Sequence, residues 1–191
     1  MIVLPMKGGI AMSYASEDLR NEHEGILFGL QILDVMIRQL EAKQLADPDD
    51  LAQMVQFFRL FADKCHHGKE EGLYFPALEK AGVRNAGGPI GQMLLEHAEG
   101  RRYVAGMSEA CAAELKAGPF IVAAQGYIKL LRAHIDKENN ILFRLGDQKI
   151  VAAEQDRLLK AFAAFEAEVM GPGVHEGLHE MLDRFENKYL G

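Results

Sequence analysis

Apolar residues recur along this chain at close to helical period. Leu19, Ile26, Leu27, Leu30, Leu33, Ile37 and Leu40 form one stripe, with charged residues between them. Ser16 reads as the N-cap of this first helix, because Glu17 and Asp18 follow in the turn where carboxylates complement the helix dipole. Asp47-Pro48 reads as a cap and first-turn proline that open a second helix. It runs past Phe57 and Phe61 and on to Lys80, with a kink expected at Pro76. The Asn85–Pro89 stretch starts a third helix that extends to about Lys116, and Gly118-Pro119 breaks it from a fourth ending near Leu145. Gly146-Asp147 reads as a stop and restart, and Gly171-Pro172-Gly173 as a second break before a short last helix ending near Leu190. Strand-like alternation is nowhere convincing.

Four long helices with short connections predict an all-α, up-down-up-down four-helix bundle with two additional C-terminal helices packed outside it. The expected division is a flexible segment over 1–15, the bundle over 16–146 and a helical extension over 147–191.

Composition narrows the function classes. A chain of 191 residues that is 49% hydrophobic can build a core without disulfide staples. Its two cysteines, Cys65 and Cys111, form no CxxC pair and point to a reducing cytoplasm. A net charge of −7 argues against nucleic acid and anionic membrane as partners. No apolar run reaches the roughly 20 residues of a membrane span. The opening Met1–Met6 has no basic residue ahead of it and makes a poor signal peptide.

The chemistry lies in an internal repeat. The first half carries Glu22-His23 and then His66-His67-Gly68-Lys69-Glu70; the second carries Glu96-His97 and then His134-Ile135-Asp136-Lys137-Glu138. The same 68-residue interval separates His66 from His134 and Glu70 from Glu138. Residues four apart on a helix share a face, so each His-x-x-x-Glu pair converges on one point. A bundle would bring both pairs to its axis together with His23 and His97. Imidazoles and carboxylates are donors that iron, manganese and zinc accept, and a carboxylate can bridge two ions. One such pair arises easily by chance on an acidic helix. Two at one interval, each followed by an aromatic-aliphatic run (Leu73-Tyr74-Phe75 and Ile141-Leu142-Phe143), form a specific signal.

The segments NEHEGI, HHGKEEGLYFPAL, LLEHAEGRR and HIDKENNILF resemble the four metal-bearing helices of the hemerythrin-like (HHE cation-binding) proteins, over about residues 16–146. The resemblance implies a non-haem centre of two Fe ions, oxo- or hydroxo-bridged, with manganese or zinc as other occupants the donor types permit. It makes His23, His66, His97 and His134 terminal nitrogen ligands, and Glu70 and Glu138 bridges. Oxygen carriers of the family have a second histidine one turn after that of the third helix, and Arg101 stands in that place here. His67 is the candidate substitute, although its counterpart in the second repeat is Ile135.

Tyr127, seven residues before His134 on the same face, and Arg101 are read as neighbours that tune the ligands. Glu22 and Glu96, each preceding a candidate ligand histidine, are read as exposed groups or as outer partners of the ligands, and Cys65 as pointing away. His175-Glu176-Gly177-Leu178-His179 matches the HExxH zinc-protease pattern, but no later helix remains to supply the usual third ligand. These histidines are expected to face solvent or to pack the terminal helix. The expected function is a cytoplasmic protein binding O2, NO or peroxide in sensing or stress response. The alternatives are a di-iron enzyme of peroxide turnover or iron–sulfur cluster repair, and a helical interaction module with a structural metal.

Overall fold

The computed structural model describes residues 14–43, 47–112 and 114–191. It is all helical, with no strand among those residues. α1 spans Ala15–Glu41. α2 (48–80) is one continuous rod in which Pro48–Phe57 passes into π-helical Phe58–His67 and Glu70–Tyr74 and returns to α-helix at Phe75–Lys80. α3 spans Pro89–Ala110. α4 (117–149) joins Ala117–Lys137, a π turn at Glu138–Leu142, and Phe143–Lys149. α5 is Ala152–Met170 and α6 is Val174–Tyr189. Each of the first four helices packs on its neighbours in sequence, and α1 closes the ring against α4. That is the expected up-down-up-down bundle. α5 lies against α1 and α2, and α6 against α1.

Three local expectations need correction. Tyr14, not Ser16, is the N-cap of α1, while Ser16 lies buried in the first turn and bonds through its hydroxyl to Asp147. The third helix stops at Ala110 rather than Lys116, and Gly118-Pro119 falls inside the first turn of α4, where a proline N–H is not needed. Gly146 does not stop α4. It is buried within the helix, so close to Tyr74 that a Cβ there would collide with the tyrosine hydroxyl, and the helix continues to Lys149. The second helix continues through Pro76 to Lys80 as expected; the proline follows directly on a π turn, in which Phe75 N–H donates to Glu70 O. The expected flexible segment over 1–15 lies mostly outside the described residues; Tyr14 and Ala15 already belong to the cap and first turn of α1.

The interior is divided into layers. One apolar cluster gathers Ile26, Leu30, Leu33, Phe57, Phe58, Phe61 and Tyr127 with Met181, Leu182 and Phe185 of α6. A second gathers Leu19, Tyr74, Phe75, Leu78, Ile90, Met93, Leu142 and Phe143 with Leu158 and Phe162 of α5. Between them every bundle helix contributes buried polar side chains: His23, His66, His67 and Glu70, His97, and His134 and Glu138. Residues on either side of each histidine belong to the apolar clusters, so helical periodicity places all seven in one slice across the bundle.

Candidate metal centre

Both π turns of the repeat begin at the glutamates of this slice. Phe75 N–H donates to Glu70 O, and Phe143 N–H donates to Glu138 O, so the two halves share backbone geometry as well as residue types. Single π turns inside α-helices re-aim side chains and recur at functional sites.

The donors fall into two groups. His67, Glu70, His97 and His134 form one, and His23, His66, Glu70 and Glu138 the other; within each, one donor atom per residue lies within 4.8 Å of all the rest. The carboxylates connect the groups. Glu70 places Oε1 3.7 Å from His66 Nε2 and Oε2 3.4 Å from His97 Nε2. Glu138 Oε2 lies 3.3 Å from His23 Nε2 and 3.2 Å from His134 Nε2. Each glutamate thus touches one histidine of each group.

The outer edge of every one of these four rings is held. His66 Nδ1 meets Glu22 at 2.8 Å, His97 Nδ1 meets Glu71 at 2.7 Å, His134 Nδ1 meets Glu96 at 2.9 Å, and His23 Nδ1 meets Asn139 Oδ1 at 2.9 Å. Carboxylate and amide oxygens only accept, so Nδ1 carries the hydrogen and Nε2 turns its lone pair inward. Those inward nitrogens meet in pairs, His66 with His23 at 2.9 Å and His97 with His134 at 3.1 Å. Two bare lone pairs repel at that range. Two nitrogens bound at about 2.1 Å and at right angles to one ion would lie about 3 Å apart, so the spacing fits a cation between them.

The carboxylates make the same point. Glu70 and Glu138 have no solvent exposure, and none of their four oxygens accepts a hydrogen bond from a described residue. Burial of unpartnered carboxylates is costly, and a cation between them removes the cost. With the protein's own groups alone, protons stand in. Burial would lower the His134 pKa, but Glu138, then Glu96 and Glu70, outweigh it and push it up to about 10. Burial would raise Glu138, yet His134 and then His23 hold it well below the usual carboxylate range. Burial and the neighbouring His23 depress His66 well below an ordinary histidine.

Beyond the imidazoles lies a further ring of charge. Lys69 contacts Glu22, and Lys137 contacts Glu96, so Lys–Glu–His chains repeat in both halves. Arg101 donates to Asp63 and Glu71, at 2.7 Å each. Asp63 in turn lies 3.6 Å from His67 Nδ1. His67 is buried, stacks on His97 at 3.9 Å between ring centres, and has no hydrogen bond at either nitrogen from a described residue. Burial and then His97 depress its pKa to about 3, so the ring is neutral and its lone pair available.

The structure therefore brings His23, His66, Glu70, His97, His134 and Glu138 together, and adds His67. Glu22 and Glu96 are not exposed; they orient His66 and His134. Glu71, Asn139, Lys69 and Asp63 escaped the sequence reading, although Glu71 and Asn139 occupy equivalent repeat positions. Tyr127 is buried edge-on against Phe58, 4.9 Å between ring centres, and its hydroxyl has no hydrogen-bond partner among the described residues. The Cys65 thiol is buried and its pKa is pushed up to about 12. His175 and His179 are half-buried on α6, with His175 against Phe61 and 3.7 Å from Glu166, and they join neither donor group.

Among the described residues no helix is long and apolar enough to cross a membrane. No curated protein and no solved structure matches the chain. The family model of the Hemerythrin HHE cation binding domain matches residues 14–145, which take in the whole donor layer and all four bundle helices. The chain belongs to the hemerythrin HHE cation-binding family.

Proposed function

We propose that this protein binds two metal ions, iron foremost, and uses them to bind O2, NO or peroxide in sensing or stress response. In this reading His23 and His66 hold one ion and His97, His134 and His67 the other, with Glu70 and Glu138 bridging. The carrying observation is that each buried glutamate reaches a histidine of both donor groups while its oxygens accept no hydrogen bond from a described residue. Redox-active ions so held supply electrons and open coordination positions to a small ligand. The protein's part is to fix the tautomer of four imidazoles, to aim two buried carboxylates between the donor groups, and to exclude bulk water with apolar clusters above and below.

Three nitrogens and two bridging carboxylates at one position, and two nitrogens with the same carboxylates at the other, leave coordination unfilled, which favours ligand binding over a purely structural metal. Metal analysis of anaerobically purified protein, followed by optical spectra before and after O2, NO or peroxide, tests the proposal. Two irons per chain and a ligand-dependent spectrum are expected. A saturated metal that never changes oxidation state or spectrum would instead support a structural role.

A further inference from the structure

The two halves mirror one another around the donor layer, and the places where the mirror fails are informative. His66 and His134 are repeat equivalents, each backed by an equivalent glutamate, Glu22 or Glu96, that is in turn held by Lys69 or Lys137. His23 and His97 are also equivalents, yet their partners differ. His97 Nδ1 meets the Glu71 carboxylate, whereas His23 Nδ1 meets the amide of Asn139, the residue 68 positions after Glu71. The second break falls at His67, which is Ile135 in the other half and brings a further imidazole to the His97 group alone.

We propose that the exchange of Glu71 for Asn139 makes the two ion positions unequal, so that the ion among His67, His97 and His134 is held more tightly than its neighbour between His23 and His66. This rests on the dinuclear reading above and deepens it.

A carboxylate that accepts an imidazole N–H raises the electron density the opposite nitrogen offers to a cation, and a neutral amide does so far less. Arg101 does not cancel the charge, because it is shared between Asp63 and Glu71, a trio with net charge −1. Glu71 Oε1 accepts from both His97 Nδ1 and the Arg101 guanidinium, at 2.7 Å each, so a carboxylate backed by a guanidinium stands behind His97. Asn139 brings no charge. Asp18 and Glu166 do add acidity beside Lys69, but they stand outside the Glu22 contact, at 44% and 33% exposure, where water screens them.

Stepwise addition of Co2+ to the metal-free full chain, followed by visible absorption and calorimetry, tests this. Wild type should fill in two steps separated by about tenfold to a hundredfold in affinity, the range that such outer partners command. Asn139→Asp, nearly isosteric, should strengthen the second step about tenfold and leave the first in place; Glu71→Gln should weaken the first step and spare the second. Equal, unresolved steps in wild type, or both variants acting on the same step or on none, would overturn the inference. Absence of any Co2+ uptake would remove the dinuclear reading itself and this inference with it. Far-ultraviolet circular dichroism of each variant identifies a folding failure, and the two substitutions act on opposite steps, so one folded variant still decides.

Discussion

His97 and His134 face each other through Nε2 at 3.1 Å, each ring locked from behind by a carboxylate. In the metal-free protein a proton must occupy that gap, and the neighbouring carboxylates raise the His134 pKa from 6.5 to about 10 to keep it there. A raised pKa stabilises the fold fully below the unfolded value, and the contribution is lost as pH climbs through the folded value. Metal-free protein should therefore lose stability between about pH 6.5 and 10, as urea unfolding at each pH would show. Metal uptake at pH 7 should release protons, readable as a dependence of binding heat on buffer ionisation enthalpy. Unchanged stability over that range would contradict the assignment.

Glu70 and Glu138 each span both donor groups, so neither ion should survive the loss of both. A Glu70→Ala/Glu138→Ala variant is expected to retain less than about a tenth of the wild-type metal after dialysis, since bridging donors leave both positions underliganded. Plasma-mass-spectrometric metal content against protein concentration decides the point. Two ions per chain in the double variant would place the metal elsewhere.

Arg101 works as a fork, with Nε on Asp63 and an outer nitrogen on Glu71. A lysine keeps the charge but cannot present two fixed donors. Arg101→Lys and Arg101→Gln should therefore both release metal severalfold faster to a chelator than wild type. If the lysine variant matches wild type, charge rather than geometry is the contribution of Arg101.

Gly146 lies where a methyl group would run into the Tyr74 hydroxyl. Gly146→Ala should cost about 1–3 kcal/mol from overpacking, in spite of better helix propensity. The Tyr74 hydroxyl has no hydrogen-bond partner among the described residues, so Tyr74→Phe opens the space cheaply. The double variant should regain most of the loss, a coupling that thermal unfolding of all four proteins measures.

The bundle and its donor layer were legible because both rest on periodicity. Five of the seven stripe residues of α1, namely Leu19, Ile26, Leu30, Leu33 and Ile37, are buried, and four-residue spacing puts His66 with Glu70 and His134 with Glu138. The partners behind the imidazoles were harder to see. Glu71 meets a histidine of α3 and Asn139 one of α1, and no local pattern encodes a contact between helices. Gly146 was misread for the same reason, since its role depends on Tyr74, which the chain supplied two helices earlier. Ser16 looked like a cap because serine often is one; here Asp147 takes its hydroxyl instead. The π turns carry no residue signature beyond Pro76, which has no counterpart in the second half.

Lys69 has no exposed surface: α5 roofs it with the Phe162 ring, 5.5 Å away, and with Glu166. Its twin Lys137 stays 37% open to water. Duplicated hairpins therefore do not give a duplicated environment, because the segment after α4 shelters one ammonium and leaves the other wet. A fragment cut after α4 would hydrate Lys69, loosen its grip on Glu22 and slacken the ring of His66, so the tail belongs to the metal chemistry as much as the four helices that touch it.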